Sequence, residues 1–396
     1  MTATTIGIIG GGQLGRMLAM AAARLGLRTI VLEPQPDCPA AQVANAQIVA
    51  AYDDPDALAE LARRCDVVTY EFENVPVSAA ELLVRSVPVF PPPKALEVSQ
   101  DRLVEKRFIN DCGIPTAPFE AVDSQADLDA ALDAFGGRAE HALPLAVIAE
   151  AAGLQDADAV VRIEGGVEIG LAVDGLEGSG GDAAGVDEAL FHQPVLRDFQ
   201  CFRRRKHRDR LHQKLGSVPQ LLEGLIAFER EISIIAARAQ DGTIVCYDPA
   251  ENIHRDGILH TSTVPAAINE STADQARRAA RAILDRLDYV GVIGVEFFVL
   301  GDGQLVANEM APRVHNSGHW TEAACVISQF EQHIRAVAGL CLGDPRRHSD
   351  CVMQNLIGDD VEAVPAWLNT PDVLVHLYGK EESRPGRKMG HVTELR

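Results

Sequence analysis

Residues 5–18 read TIGIIGGGQLGRML, an apolar run that breaks into clustered glycines. We predict a strand over 5–9, a G-x-G-x-x-G turn over 10–15 and a helix from about Arg16. Backbone N–H groups and the helix dipole at such a turn can hold a phosphate, and the glycines let it approach closely. Glu33 lies at the spacing expected of a ribose-binding acid, so one interpretation of the turn is a nicotinamide-binding site. Another is a turn that serves only packing.

The alternation of strand and helix continues through the first ninety residues. Apolar β-rich runs lie at 5–9, 29–32, 48–50, 67–70 and 87–90, with helical stretches between them. This order predicts a parallel sheet with helices on both faces. Pro91-Pro92-Pro93 cannot continue a strand, so we place a domain boundary after it and a helix over 95–112.

The second half of the chain has the pattern of an antiparallel sheet. Runs 230–239 and 243–247 flank one turn, and runs 291–300 and 304–309 flank another. An amphipathic helix is predicted over 270–287, between the two strand pairs. The predicted fold class is therefore α/β followed by α+β.

Composition argues against several classes of protein. The chain has 396 residues, 47% of them hydrophobic, and a formal net charge of −21, which disfavours nucleic acid as a partner. No apolar run is long enough to cross a membrane, and the first residues lack the pattern of a secretory signal. Eight cysteines without a CxxC pair predict reduced thiols in a cytoplasm.

Polar residues follow the fourth predicted strand in the motif EFENVP, residues 71–76. In parallel α/β folds, ligands bind at the carboxyl edge of the sheet. We therefore predict that Glu73 contacts a ligand and that Asn74 caps the next helix.

Two carboxylates are predicted to meet on neighbouring strands of the second half. Glu296 interrupts the apolar run GVEFF, and Asn308-Glu309 ends the following strand. Carboxylates held together repel each other unless a cation lies between them, and hard oxygen ligands suit Mg²⁺ bound to nucleotide phosphates. The alternative is a buried acid paired with an arginine such as Arg313.

Three segments are rich in hydrogen-bond donors: APRVHNSGHW at 311–320, ENIHRDG at 251–257, and a late run with Lys380, Arg384 and Arg387. Loops of such composition on rigid strands are where function concentrates, and an acidic protein would keep these cations for an anionic ligand. A charge run alone is more often a solvated face.

Together these residues resemble the ATP-grasp family, and within it the ligases that carboxylate an aminoimidazole ribonucleotide. The resemblance covers about 5–120 and 215–396 and rests on IGIIGGGQLGRML, EFENVP, QDR…K, ENIHRDGIL, GVEFF, NEMAPRVHNSGHWT and RPGRKMGH, in this order. It implies a Rossmann-like preATP-grasp domain over 1–98, an ATP-grasp domain over 99–337 and a small carboxyl-terminal domain over 338–396. Members usually continue beyond Val392, so the last domain is expected to be shortened.

The resemblance also implies roles for individual residues. Those that match ATP contacts are Arg102, Glu223, Gly224, Leu225, Ile226, Glu231, His254, Asn308 and Glu309. Those that match Mg²⁺ ligands are Glu296 and Glu309. Those that match contacts to the ribonucleotide are Gly12, Gln13, Leu14, Glu73, Asn316, Ser317, Lys380, Arg384 and Arg387. Arg313 and His254 are the expected catalytic residues, and the glycine turn becomes a cradle for the substrate phosphate.

The implied reaction is the ATP- and bicarbonate-dependent carboxylation of 5-aminoimidazole ribonucleotide in purine biosynthesis, through carboxyphosphate. ATP and Mg²⁺ are the implied cofactors, and bicarbonate is the co-substrate. Phosphoryl transfer of this kind needs positioning and neutralised charge more than a protein nucleophile. The resemblance further implies small-molecule partners and a cytoplasmic homodimer.

One segment departs from the family pattern. Over 139–214 the family carries an ATP-binding lysine and a glycine-rich loop, whereas this chain has no lysine between Lys106 and Lys206. Without a covering loop, hydrolysis of carboxyphosphate would compete with transfer. A catalytically silent nucleotide-binding homologue therefore stays open as an alternative. A nicotinamide-dependent oxidoreductase is a third interpretation, which leaves Glu296 and Glu309 without a role.

Overall fold

The amino-terminal part of the chain folds around a parallel sheet. The computed structural model describes residues 4–122, 124, 126–127, 130–131, 134, 145–149, 161–163, 167–169, 171–172, 220–224, 226–255 and 257–396. Strands β1 (Thr5–Ile9), β2 (Arg28–Leu32), β3 (Ala46–Ile48) and β4 (Val67–Tyr70) lie in the order β3-β2-β1-β4. All three strand pairs are parallel, which confirms the predicted arrangement.

Two predicted strands of this sheet differ from the structure. The strand expected over 48–50 ends at Ile48, because the next side chain, Val49, turns to solvent and is 55% exposed. The strand expected over 87–90 is reduced to one parallel bridge between Val68 and Val89. Pro88 and Pro91 have no N–H to donate, so the ladder is interrupted on both sides of Val89.

Three helices pack on this sheet: α1 (Gln13–Arg24), α2 (Pro55–Arg64) and α3 (Val77–Leu83). α1 begins three residues before the predicted start, directly at the glycine turn. The prediction that Asn74 caps the following helix is wrong, because α3 has Pro76 at its N-cap position. A proline there fixes the backbone at the helix start without a side-chain cap.

The single helix predicted over 95–112 is two helices, α4 (Pro93–Ser99) and α5 (Arg102–Asp111). The break is encoded by Asp101, whose carboxylate accepts a hydrogen bond from the Val104 amide at 2.8 Å and so starts a new helix. Gln100 donates its side-chain amide to the carbonyl oxygens of Glu73 and Val75, both at 2.6 Å. This contact ties the start of α5 to the EFENVP segment.

The rest of the chain is built mainly from antiparallel sheets, as predicted. One sheet has the order β5-β10-β6-β9, β7 pairs with β8, and a large sheet has the order β16-β15-β11-β13-β14-β17-β19-β18, with β12 on β11. The strands are β5 (Phe119–Val122), β6 (Leu145–Ala149), β7 (Val161–Ile163), β8 (Val167–Ile169), β9 (Leu171–Ala172), β10 (Gln220–Gly224), β11 (Arg230–Arg238), β12 (Ile244–Cys246), β13 (Ala250–Arg255), β14 (Ile258–Val264), β15 (Gly291–Val299), β16 (Leu305–Ala311), β17 (Cys351–Ile357), β18 (Val373–Leu377) and β19 (Lys388–Leu395).

Four further helices cover the large sheet or its edges. They are α6 (Glu270–Arg286), α7 (Thr321–Ala324), α8 (Gln329–Val337) and α9 (Val364–Trp367). α6 matches the predicted amphipathic helix, begins at the capping side chain of Asn269, and packs Ala276, Ile283 and Leu284 into the same core as β11 and β15. Apolar burial of this kind is the main stabilising term of the fold.

The predicted domain limits stay predictions. The last three strands continue the large sheet through pairing of β14 with β17, so the region after residue 338 is joined to the preceding one by a hydrogen-bonded ladder. Most of the segment 139–214 lies outside the described residues. Among the residues that are described, no helix is long and apolar enough to cross a bilayer.

Candidate active site

The two acids singled out in the second half are neighbours in the large sheet. The register of β15 and β16 shifts between Val295 and Phe297, so Glu296 faces a bulge formed by Asn308 and Glu309. Glu296, Glu309 and His315 each offer a ligand atom, and these atoms all lie within 4.8 Å of one another. Two carboxylates beside an amide oxygen are the hard donors that Mg²⁺ prefers, so the residues fit this ion.

His315 is a member of this cluster to which the sequence assigned no role. Its Nδ1 lies 2.8 Å from the Ser317 hydroxyl, and its Nε2 lies 3.8 Å from a carboxylate oxygen of Glu296. The only signal in the sequence was its position in the donor-rich loop after β16. The structure shows that this loop turns back towards the two acids.

Arg102 lies at the same acids, on the first turn of α5. Its guanidinium donates to Asn308 Oδ1 at 3.1 Å and lies 3.5 Å from a carboxylate oxygen of Glu309. A third contact, at 2.7 Å, joins it to Glu105. The Arg102 side chain is buried, whereas that of Glu309 is 36% exposed. The buried guanidinium helps to fix the positions of both β16 side chains.

Glu231 and His254 form a second pair on the same sheet. His254 Nδ1 lies 2.6 Å from Glu231 Oε2, because Glu231 is in register with Asn252 and His254 is two residues further along β13, on the same face. Burial alone would lower the pKa of His254, but the Glu231 hydrogen bond and the negative charge of Glu296 outweigh it and raise this pKa. A protonated imidazole there would favour an anionic ligand.

The predicted adenine segment begins at a buried ion pair. Lys106 Nζ donates to Glu223 Oε1 at 2.6 Å, and the lysine is fully buried. Burial, followed by repulsion from Arg102, lowers the pKa of Lys106. Gly224 follows at the end of β10, Ile226 is partly exposed, and Leu225 lies outside the described residues. Lys106 had no assigned role, although it lies one helical turn after Arg102 in the QDR…K motif.

Arg313 pairs with Glu73 of the EFENVP segment. Its Nη2 donates to Glu73 Oε1 at 3.0 Å and its Nε donates to Glu73 Oε2, a bidentate geometry. Arg313 is buried. This pair joins the EFENVP segment of the first domain to the donor-rich loop, so an expected ligand contact and an expected catalytic residue lie together.

The glycine turn holds two protein carboxylates. The amides of Gly12 and Gly15 donate to the two oxygens of Glu71, and the Gly11 amide donates to Glu33 Oε2 at 2.8 Å. The amide of Gly12 is therefore occupied by Glu71, and its contact with the ribonucleotide stays a prediction. In the part of the chain described, the Gln13 and Leu14 amides at the start of α1 meet no acceptor and remain for that role.

These contacts also remove the basis for a nicotinamide site. Glu33, the expected ribose-binding acid, accepts hydrogen bonds from the Gly11 amide and from the Tyr52 hydroxyl at 2.6 Å. Gly10 has a φ of +103°, and a Cβ there would collide with Glu71 Cγ. Only glycine fits at this position, because the Glu71 side chain fills the space in front of the turn.

Glu71 should make the stability of the protein depend on pH. Burial raises its pKa from 4.5 to about 7, despite the hydrogen bonds from Gly15 and Gly12. A carboxyl with a raised folded-state pKa loses stability as pH rises from its unfolded to its folded value. Relative to Glu71→Gln, the wild-type free energy of unfolding should fall by about 3 kcal/mol over this interval.

Urea denaturation at several pH values measures this difference. Glu60→Gln is the control, because the Glu60 side chain is 41% exposed. If wild type and Glu71→Gln show parallel pH profiles, Glu71 does not titrate in this range.

Cations of the late cluster reach the glycine turn. Lys380 Nζ donates to Gln13 Oε1 at 3.0 Å and to the Lys388 carbonyl at 2.6 Å. Burial, with repulsion from Arg387 and Lys388, lowers the pKa of Lys380 to about 8. Arg387 Nη1 donates to the Glu382 carbonyl at 2.9 Å, whereas Arg384 is half exposed and lies 2.9 Å from the Glu382 carboxylate. The structure thus brings Lys380 to the turn and turns Arg384 towards the surface.

Asn316 and Ser317 are buried beneath the donor-rich loop. Ser317 is bonded to His315, as described above. The Asn316 side-chain amide is buried, and in the described part of the chain neither of its polar atoms has a partner. A buried amide without partners is costly, which is an observation that favours a ligand contact at Asn316.

Three known protein domains match successive segments of the chain. Residues 3–100 match the ribonucleotide synthetase preATP-grasp domain, residues 200–330 the ATP-grasp domain, and residues 351–396 the phosphoribosylaminoimidazole carboxylase C-terminal domain. The chain is 56% identical to the N5-carboxyaminoimidazole ribonucleotide synthase of Brucella melitensis biotype 1, over 99% of this chain and 96% of that protein. It is 41% identical to the same enzyme of Pseudomonas aeruginosa, over 98% and 93%.

Solved structures of enzymes with this name superpose on nearly the whole chain. An N5-carboxyaminoimidazole ribonucleotide synthetase from Thermus thermophilus superposes with a TM-score of 0.78 at 38% identity, over 99% of this chain and 93% of that one. An N5-carboxyaminoimidazole synthase from Aspergillus clavatus, solved with ADP and 5-aminoimidazole ribonucleotide, gives a TM-score of 0.80 at 27% identity, over 100% and 94%.

Proposed function

Because this chain belongs to the N5-carboxyaminoimidazole ribonucleotide synthase family of ATP-grasp ligases, we propose that it carboxylates 5-aminoimidazole ribonucleotide with ATP and bicarbonate. A bicarbonate oxygen attacks the γ-phosphorus of ATP and releases ADP, which gives carboxyphosphate. Carboxyphosphate breaks into CO₂ and phosphate, and the exocyclic amine of the ribonucleotide adds to CO₂ with loss of a proton. The product is the N5-carboxy compound.

The observation that carries this proposal is the meeting of Glu296 with Asn308 and Glu309 under the guanidinium of Arg102. These acids would hold Mg²⁺, which when bound neutralises charge on the ATP phosphates. Arg102 keeps the β16 side chains in place. His254, held by Glu231, lies on the same face, where the nucleotide would lie.

The acceptor would lie on the side of the glycine turn. We place its phosphate between the amides of Gln13 and Leu14 and the cation of Lys380, which already touches the Gln13 side chain. We place the Glu73–Arg313 pair between this phosphate site and the acids, because it joins the EFENVP segment to the donor-rich loop. Arg313 supplies a charge next to the reacting groups, and Glu73 orients it and can accept a hydrogen bond from the substrate amine.

A bicarbonate-dependent ATPase assay with 5-aminoimidazole ribonucleotide tests the proposal. We expect phosphate release that needs both bicarbonate and the ribonucleotide, with one N5-carboxy product formed per ATP, followed by NMR with ¹³C-bicarbonate. The silent-homologue alternative is favoured by the absence of any lysine between Lys106 and Lys206. It predicts ribonucleotide binding without ATP turnover, a result that would overturn the catalytic proposal.

Lys380 should make ribonucleotide binding sensitive to pH. Its pKa of about 8 means that the charge that binds a phosphate is lost as pH rises through this value. The substrate phosphate is already a dianion there, since its second pKa is about 6. We expect affinity for 5-aminoimidazole ribonucleotide to fall above about pH 8 in the wild type.

Calorimetric titration across this range measures that loss. The arginine of Lys380→Arg keeps its charge across this range. The affinity of this variant for the ribonucleotide should therefore depend less on pH, even if it is lower than that of the wild type. An unchanged pH profile in Lys380→Arg would remove Lys380 as the titrating group.

We also propose that the protein is a cytoplasmic homodimer that acts on small molecules. Support comes from its family and from the reduced state expected of its cysteines. Sedimentation velocity measures the oligomeric state directly, and a monomer at micromolar concentration would contradict this proposal.

A further inference from the structure

A second cluster, which shares no residue with the proposed Mg²⁺ site, lies at the carboxyl-terminal edge of the large sheet. His376 on β18 and His391 on β19 are directly opposite each other in the antiparallel register, with ring centroids 5.1 Å apart. Glu322 on α7 faces them. One ligand atom from each of Glu322, His376 and His391 lies within 4.8 Å of the other two.

We propose that Glu322, His376 and His391 form a binding site for a divalent transition-metal ion of the Zn²⁺ class. Two imidazoles and a carboxylate are a known protein ligand set for Zn²⁺, which leaves a fourth position to water. Imidazole nitrogen favours such ions over Mg²⁺, which prefers oxygen. Ligand atoms around tetrahedral Zn²⁺ lie about 3.3–3.6 Å apart, so a small side-chain adjustment from the observed spacing suffices.

The surroundings of His391 are those of a metal ligand. Its Nδ1 lies 2.8 Å from the Tyr378 hydroxyl, which orients the ring and leaves Nε2 as the nitrogen that can bind an ion.

A simple His–Glu ion pair leaves two buried polar atoms unexplained. Glu322 Oε2 lies 2.5 Å from His376 Nδ1, yet this buried oxygen has no hydrogen bond of acceptable geometry. His319 is fully buried, its ring centroid lies 4.8 Å from that of His391, and its Nε2 meets no partner among the described residues. A cation shared by the cluster, with its water, would satisfy both atoms.

The site is open to an ion from solvent. The side chains of Glu322 and His376 are 18% and 30% exposed, whereas His391 is buried beneath them. α7 follows the donor-rich loop, and β18 ends three residues before Lys380. Zn²⁺ bound there would therefore join the two segments that carry the proposed acceptor contacts.

The test uses the full chain, stripped with a chelator and titrated with Zn²⁺ by calorimetry. We expect one Zn²⁺ per chain and an upward shift of Tm, because a ligand that binds the folded state stabilises it. His376→Asn and the near-isosteric Glu322→Gln should each weaken Zn²⁺ binding by at least about tenfold to a hundredfold, the range for changes around metal ligands. The exposed His348→Asn is the matched control and should bind as the wild type does.

Two further measurements separate this site from others. Thermal unfolding without metal shows whether each variant folds as the wild type does. If His376→Asn does not fold, Zn²⁺ binding by Glu322→Gln tests the site instead. Co²⁺ substitution reports the ligand type, and a spectrum with nitrogen and oxygen ligands supports the proposal. Zn²⁺ binding that is lost in Glu296→Gln and kept in His376→Asn would overturn it, as would a thiolate spectrum or no binding.

Discussion

Glutamine at position 296 or 309 is expected to abolish binding of Mg·ATP while leaving the fold intact. Each change removes one negative charge from a ligand pair already assembled at the β15–β16 bulge. Affinity should fall by more than about a hundredfold, since changes to outer-shell partners of a metal already cost up to that much. The fold should survive, because two neighbouring carboxylates repel each other without a cation and glutamine removes that repulsion.

Isothermal titration with ATP in the presence and absence of Mg²⁺ measures the effect. Glu270→Gln is a suitable control, because Glu270 lies on the exposed first turn of α6. Glu309→Gln tests a further point, because this side chain also lies near Arg102. If both variants bind Mg·ATP as tightly as wild type, the acids are structural and the metal assignment is wrong.

Arg387→Ala is expected to weaken binding of 5-aminoimidazole ribonucleotide by about ten- to a hundredfold, which corresponds to about 1.5–3 kcal/mol for a lost charged hydrogen bond. One guanidinium nitrogen of Arg387 is held by the Glu382 carbonyl, and its buried Nε has no partner in the described part of the chain. It is therefore free to donate to a phosphate oxygen. Binding of ATP should hardly change, because the acids that would hold Mg²⁺ lie in β15 and β16.

Calorimetric titration of both ligands distinguishes the two sides of the active site. Arg346→Ala is the matched control, because Arg346 is exposed and, among the described residues, its ion-pair partner is Asp344 on the surface. The reverse pattern, with ATP weakened and the ribonucleotide unaffected, would move the late cationic cluster to the nucleotide.

Patterns within single segments predicted most of the elements that position the site. The glycine turn between β1 and α1, the amphipathic α6 and the meeting of Glu296 with Asn308-Glu309 follow from periodicity and turn residues that are close in sequence. Errors occurred where a single residue decides a boundary. Pro88 shortens a strand, Pro76 replaces Asn74 at a helix start, and Asp101 divides one helix into two.

Contacts between distant segments could not be predicted in the same way. The sequence does not show that the Glu71 carboxylate, rather than a phosphate, occupies the amides of Gly12 and Gly15, because these residues are more than fifty positions apart. The same holds for Lys106 with Glu223 and for Glu73 with Arg313. Polar residues that look like ligand contacts in a sequence are often held by one another in the folded chain.

The continuity of the large sheet has a mechanical consequence. Strands β15 and β16, which carry the acids, and strands β18 and β19, which flank the late cations, belong to one ladder joined at β14 and β17. The spacing between the proposed metal site and the proposed acceptor site is therefore set by interstrand distances of about 4.8 Å each and not by a linker. Any closing motion during turnover would be a bending or twisting of the large sheet, or a movement of the separate β5–β10–β6–β9 sheet against it.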